Sequence, residues 1–202
     1  MTSGIIFYWI GWIFWVIVTF FMKKGRQRTF YACWILLIIL CSPISIPIGG
    51  YQIGVSFLIL LAGSTYFHSI AKSLYLLFSA FTISLGYIAI LFWERITPVW
   101  LFLPRSVLIP LIMTFLIVIL TESLHDKLAI GLLGITSGEI LHSIILSSYQ
   151  LYETIGGLAF LDIFFMITML VIFIETVQKV KVKLYAAIHE YKQSLRWKMN
   201  QH

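Results

Sequence analysis

Charge is what this chain has least of. Only 11% of its 202 residues are Asp, Glu, Lys or Arg, and just eight are acidic. With 60% hydrophobic residues and a mean hydropathy of +0.98, too little polar side chain remains to cover a water-soluble globule. Cysteine is nearly absent too, with Cys33 and Cys41 eight residues apart. On one helix that is roughly 12 Å along the axis, too far for a disulfide, so both read as small packing residues. No Cys-x-x-Cys, His-Glu-x-x-His, Gly-x-Ser-x-Gly or Gly-rich phosphate loop ending in Lys occurs. The expectation is therefore no cofactor, no resident metal and no enzyme, although intramembrane catalysis does not require these motifs. A secretory leader is not expected either, because positive charge follows the first apolar stretch at Lys23 instead of preceding it.

What the chain does have is long apolar runs. About 20 mostly apolar residues carry a helix across roughly 30 Å of hydrocarbon. Seven runs qualify: 4–22, 30–48, 51–67, 73–93, 99–120, 128–150 and 156–176. They are too long for barrel strands, and an open sheet would leave backbone groups unpaired in lipid. The expected fold class is all-α, a polytopic transmembrane helical bundle of seven spans (residues 1–176) followed by a basic amphipathic cytoplasmic tail (177–202). Spans two and three are the least regular. Pro43 and Pro47 interrupt the outer end of span two and Gly49-Gly50 follows at once, so a kinked hairpin or partly re-entrant pair is the alternative to two full crossings.

The cations orient the bundle. Lys23, Lys24, Arg26, Arg28, Lys72, Lys127, Lys179, Lys181, Lys183, Lys192, Arg196 and Lys198 fall in alternate gaps, leaving only Arg95 and Arg105 on the other side. Lys and Arg near span ends mark the cytoplasmic side. The N-terminus is thus expected outside and the C-terminus inside the cell membrane. The net charge of +6 needs no nucleic acid, since it lies where anionic lipid head groups would be. Trp9, Trp93 and Trp100 sit near outer span ends as an aromatic belt, and Tyr8, Trp12, Trp15 and Thr19 form a helical stripe expected to pack on a neighbour. In the tail, Val177, Val180, Leu184, Ile188, Tyr191 and Leu195 share one helical face. That face is expected on anionic lipid, with a protein partner or a second copy of the chain as the alternative, and Glu175 and Lys179 are spaced to pair at the junction.

The candidate site residues are the ionisable groups inside the spans, each costing about 2.5–3.5 kcal/mol at a helix centre. They are Arg105, Glu139, His142 and Asp162. Rise per residue puts Arg105 and Asp162 at a similar depth, roughly 9 Å from the outer surface, so they are expected to pair, and all four could face one outer-half pocket. Glu139 and His142 share a helical face beside Gly131, Gly134 and Gly138, a groove that admits another helix closely. Two readings follow: a proton relay or solute site, or a structural lock in which the charges hold the bundle together. The lock is slightly favoured. Glu122-Ser-Leu-His125 repeats the Glu-x-x-His spacing of Glu139-Ile-Leu-His142, as in carboxylate-bridged di-iron bundles. Glu122 and His125 lie about 16 Å away along the helix axis, however, and read as part of a solvated turn with Asp126 and Lys127.

Phe7-Tyr8-Trp9 with Trp12 and Trp15, then Lys23-Lys24, Pro98-Val99-Trp100-Leu101-Phe102-Leu103-Pro104, Gly138-Glu139 and Phe160-Leu161-Asp162 resemble the YphA family of small membrane proteins from Bacillus-type bacteria. The resemblance implies a bacterial cytoplasmic membrane and supplies no catalytic residues. The expected function is a membrane interaction or scaffold protein. A small transporter or proton-coupled permease ranks second and an intramembrane enzyme third.

Overall fold

The computed structural model describes residues 3–64, 74–96, 104–151 and 153–199. Among these residues seven helices and one hairpin follow in the order α1 (Ile5–Phe21), α2 (Arg26–Cys41), β1 (Ser45–Ile48), β2 (Tyr51–Gly54), α3 (Val55–Ser64), α4 (Leu74–Ile96), α5 (Arg105–Leu120), α6 (Leu124–Ser148) and α7 (Leu158–Met199). Among the described residues three helices are long and apolar enough to cross a membrane: α4, α6 and the 158–186 part of α7. The helices α1 and α5 are apolar but shorter, at 17 and 16 residues. Lys72, Trp100 and most of the Pro98-to-Pro104 motif lie outside the described residues.

Helices consecutive in the chain alternate in direction, so the closely packed pairs α4–α6 and α5–α7 run parallel. Arg28 near the start of α2 donates to the Thr19 carbonyl near the end of α1, and Ser56 early in α3 donates to the Ile38 carbonyl late in α2. Tyr75 at the start of α4 donates to the Leu120 carbonyl at the end of α5. Lys127 at the start of α6 meets Glu175 far along α7. One end of the bundle therefore gathers the N-terminus of α1, the hairpin and the α6–α7 turn. The other gathers the 23–28 turn, Lys127 and Lys179, and is called the basic end below.

The glycine groove of α6 admits close neighbours as its spacing predicts: α4 at Gly134 and Gly138, and Ile117 of α5 at Gly131. A Cβ on Gly134 would stand 2.7 Å from the Ala80 carbonyl oxygen and from Ile83 Cβ, so only glycine permits this backbone approach. Around the seam, Ile83, Tyr87, Ile130 and Ile135 are buried. The helix α7 packs chiefly on α5 and α1, and α3 bridges α2 to α6.

The outer part of spans two and three is a correction to two continuous helices. Helix α2 stops at Cys41, and residues 45–54 form an antiparallel hairpin with Ser45 opposite Gly54 and Ile48 opposite Tyr51. Gly49 and Gly50 have φ of 58° and 89°, the left-handed pair that a two-residue type I′ loop requires. Pro43 bars helix continuation, and Pro47 is tolerated because β1 is an edge strand. The other edge of β2 is covered by the chain before α7: Gly54 N donates to the Ile155 carbonyl at 2.9 Å and Ile155 N to the Gln52 carbonyl at 2.8 Å. An open strand edge has no place in hydrocarbon, which assigns the hairpin to the interface.

Candidate functional site

Glu139 lies in the middle of α6, on the face that meets α4, and is 8% exposed. Its Oε2 accepts from the Tyr87 hydroxyl of α4 at 2.9 Å, and its Oε1 accepts from Gly156 N at 3.3 Å. Gly156 can present that N–H because its φ is +67° and because a Cβ there would sit 2.2 Å from Phe57 Cβ. One carboxyl group thus ties α6, α4 and the turn before α7 together.

His142, one turn further along α6, is 4% exposed, with its ring 5.1 Å from that of Phe92. Its buried Nε2 has no hydrogen-bond partner among the described residues. The pair shares a helical face as its spacing predicts, but no bond between Glu139 and His142 closes a relay.

Asp162 sits four residues into α7, 7% exposed. Gly4 N donates to its Oδ2 at 2.6 Å and Phe7 N to its Oδ1 at 2.8 Å. Helix α1 begins at a glycine with φ of 101° and no side-chain cap of its own, so a carboxyl group from another helix serves its uncapped N–H groups.

Arg105 does not pair with Asp162. It is the first residue of α5, with Pro104 as N-cap, and so stands at the helix end instead of a turn and a half inside it. Its side chain is half exposed and its Nε lies 3.2 Å from Glu94 Oε2 at the end of α4. A neighbouring pair, Arg95 with Glu153, joins α4 to the α6–α7 turn.

The four predicted residues therefore do not share one pocket. Arg105 and Asp162 line a cavity of about 460 Å³ at the hairpin end with Ser3, Pro104 and Ser106, and neither Glu139 nor His142 is part of its wall. The error arose from treating depth as position: equal rise along two helices says nothing about which face each side chain occupies.

The basic end holds a pair that sequence reasoning missed. Lys127, assigned above to a solvated turn, is 3% exposed, and its Nζ lies 2.8 Å from Glu175 Oε2. Lys179 Nζ approaches Glu175 Oε1 at 3.5 Å, the expected i, i+4 contact. Lys127 follows Asp126, which shares its first-turn position with the capping hydroxyl of Ser123, and that polar run hid the inward face of Lys127. Its spacing of four from Gly131 was the available signal. Glu122 is exposed in the turn before α6, and among the described residues no group of three or more His, Cys, Asp or Glu comes together to hold a metal.

Residues 3–197 match the family described as YphA-like integral membrane protein. The chain belongs to that family. Membership covers both the bundle and most of the α7 extension, makes this an integral membrane protein, and assigns no reaction to it. Among curated proteins and solved structures, none matches the chain. In this YphA-like chain the polar groups inside the bundle are thus read from their own geometry: Glu139, Asp162 and Glu175 each bind two separate groups across helix boundaries or along α7.

Proposed function

We propose that this YphA-like protein is a membrane interaction or scaffold protein with seven spans, an external N-terminus and a cytoplasmic C-terminus. The observation that carries this reading is the behaviour of α7 at Glu175. Up to that residue the bundle buries one side of the helix; from residue 176 to 186 every side chain is exposed, while the helix continues unbroken to Met199. No Gly or Pro, two of the usual causes of a sharp kink, interrupts it. About 36 Å of helix therefore extends past the last residue the bundle grips. Lys179, Lys181 and Lys183 fall in the first turns of this extension, where anionic lipid head groups would meet them, and the exposed Tyr185 and Ile188 lie beyond, within reach of a protein partner or a second copy of the chain.

The locked acids support the same reading, because a carboxyl group that holds helices together is poorly placed to exchange protons. Transport keeps one supporting observation, the cavity at Arg105 and Asp162, but Asp162 already serves the N-terminus of α1 there. No complete catalytic set supports an enzyme.

Two measurements test the proposal. In a variant carrying Cys33→Ser and Cys41→Ser, a membrane-impermeant maleimide applied to intact cells should label Ser45→Cys and miss Gly25→Cys; the reverse pattern defeats the orientation. A photo-crosslinking residue at Tyr185 in native membranes should give a discrete protein adduct. Lipid adducts alone would reduce the extension to a surface anchor.

A further inference from the structure

A further cavity belongs to neither site above. About 560 Å³ lies between the α1–α2 pair and α6–α7 at the basic end, within the range of about 300–1,000 Å³ usual for small-molecule sites. Its wall includes Ile17, Ile38, Leu60, Leu128, Leu132 and Phe165. It is elongated along the helices: Leu124 to Leu132 on α6 and Phe164 to Ile172 on α7 each span about 12 Å.

The wall is mostly apolar; its polar side chains are Tyr31, Trp34, His125 and Thr168, and His125 Nδ1 lies 3.7 Å from Asp126 Oδ1. Trp34 Nε1 donates to the Ile59 carbonyl at 3.3 Å, and the Thr168 hydroxyl donates to the Phe164 carbonyl at 2.9 Å. Ile17 of the wall is 47% exposed, so the space opens at the side of the bundle, and water gains little against so apolar a lining. For an open cleft between membrane helices, the apolar filler at hand is hydrocarbon.

Directly above it stands a cluster of cations. Ile17 and Val18 of the wall are one to two turns before Lys23 and Lys24, and Tyr31 is less than one turn after Arg28. Residues 22–28 curve around a concave surface, with Lys23, Lys24 and Arg26 exposed and Arg28 tied to the Thr19 carbonyl. Helix α2 starts there without a side-chain cap, so its first N–H groups add positive potential.

We propose that this cavity and the 23–28 turn together bind one anionic phospholipid, with an acyl chain between α1–α2 and α6–α7 and the phosphate against Lys23, Lys24 and Arg26. The apolar wall selects the chain and the basic turn selects the head group. This inference is independent of what the α7 extension contacts.

The test is native mass spectrometry and thermal stability of the full chain in mild detergent, with phosphatidylglycerol, phosphatidylcholine or glycerol phosphate added. Phosphatidylglycerol should be retained and raise the melting temperature, while glycerol phosphate should do neither, since it lacks a chain. Neutralising Lys23, Lys24 and Arg26 to Gln should lower phosphatidylglycerol retention by about tenfold or more and leave phosphatidylcholine unchanged. Val18→Trp and Thr168→Phe fill the cavity from opposite walls, and whichever of the two folds should lose phosphatidylglycerol retention while keeping the extension intact. Unchanged retention in a folded cavity-filled variant overturns the proposal and moves the lipid to the extension. Equal retention of both lipids by the unmodified chain overturns the head-group half.

Discussion

At the hairpin end, Asp162 is held entirely and Glu139 partly by backbone N–H groups, whereas at the basic end Glu175 is held by two lysine side chains. The difference follows from what each end has to offer. At the hairpin end the N-terminus of α1 and the turn at Gly156 present free N–H groups, and these satisfy a carboxyl group without importing a cation. The basic end has lysines in excess, and one of them, Lys127, turns inward to meet the acid of α7. Backbone-held acids fix where chain segments enter the bundle; the side-chain pair fixes α6 against α7 alone.

The largest effect should come from breaking the side-chain pair. Removing one partner of a buried ion pair costs about 3–5 kcal/mol, because the other charge is left buried and unpaired. Glu175→Leu should approach that value in a detergent unfolding titration. Lys127→Met should cost less, since Glu175 keeps Lys179, and the double variant should recover much of the loss. Equal costs for the two single variants would mean that Lys179 contributes nothing.

A smaller effect is expected at the hairpin end. Asp162→Ala leaves the N–H groups of Gly4 and Phe7 without their acceptor, costing about 1–3 kcal/mol. Arg105→Gln should change stability by less than about 1 kcal/mol, and the two changes should add, because distinct partners hold them. A coupling well above 0.5 kcal/mol in that cycle would restore a direct link between Arg105 and Asp162.

The smallest effect belongs to Arg95 and Glu153, a pair with exposed side chains. Neutralising either should cost under about 1 kcal/mol and lose even that in high salt. A cost comparable to that of Asp162→Ala would show that this pair, and not the backbone, carries the α6–α7 turn.

Some of this was legible beforehand. The Gly131, Gly134, Gly138 spacing predicts close helix contact, legible because the period of a helix and the absence of Cβ atoms are both local properties; α4 meets Gly134 and Gly138, and Ile117 of α5 meets Gly131. Pro43, Pro47 and Gly49-Gly50 announce a break, but that it takes the form of a two-stranded β-hairpin was not legible in them. The aromatic stripe on α1 is only partly met: Tyr8 lies 2.7 Å from the Ser42 hydroxyl, but Trp12 is half exposed and packs edge-on against Trp15 of its own helix.

The sequence by itself determined that this is an integral membrane chain of apolar helices with cations at one end, because hydrophobic length and charge position are properties of each segment alone. It also determined that Glu139 and Asp162 would need partners, since a carboxyl group inside an apolar run is costly wherever it goes. Which partners they found was decided only by the tertiary structure. Tyr87, Gly156 and the N-terminus of α1 come from segments 17 to 158 residues away, and no periodicity within one helix records which face of another it will meet.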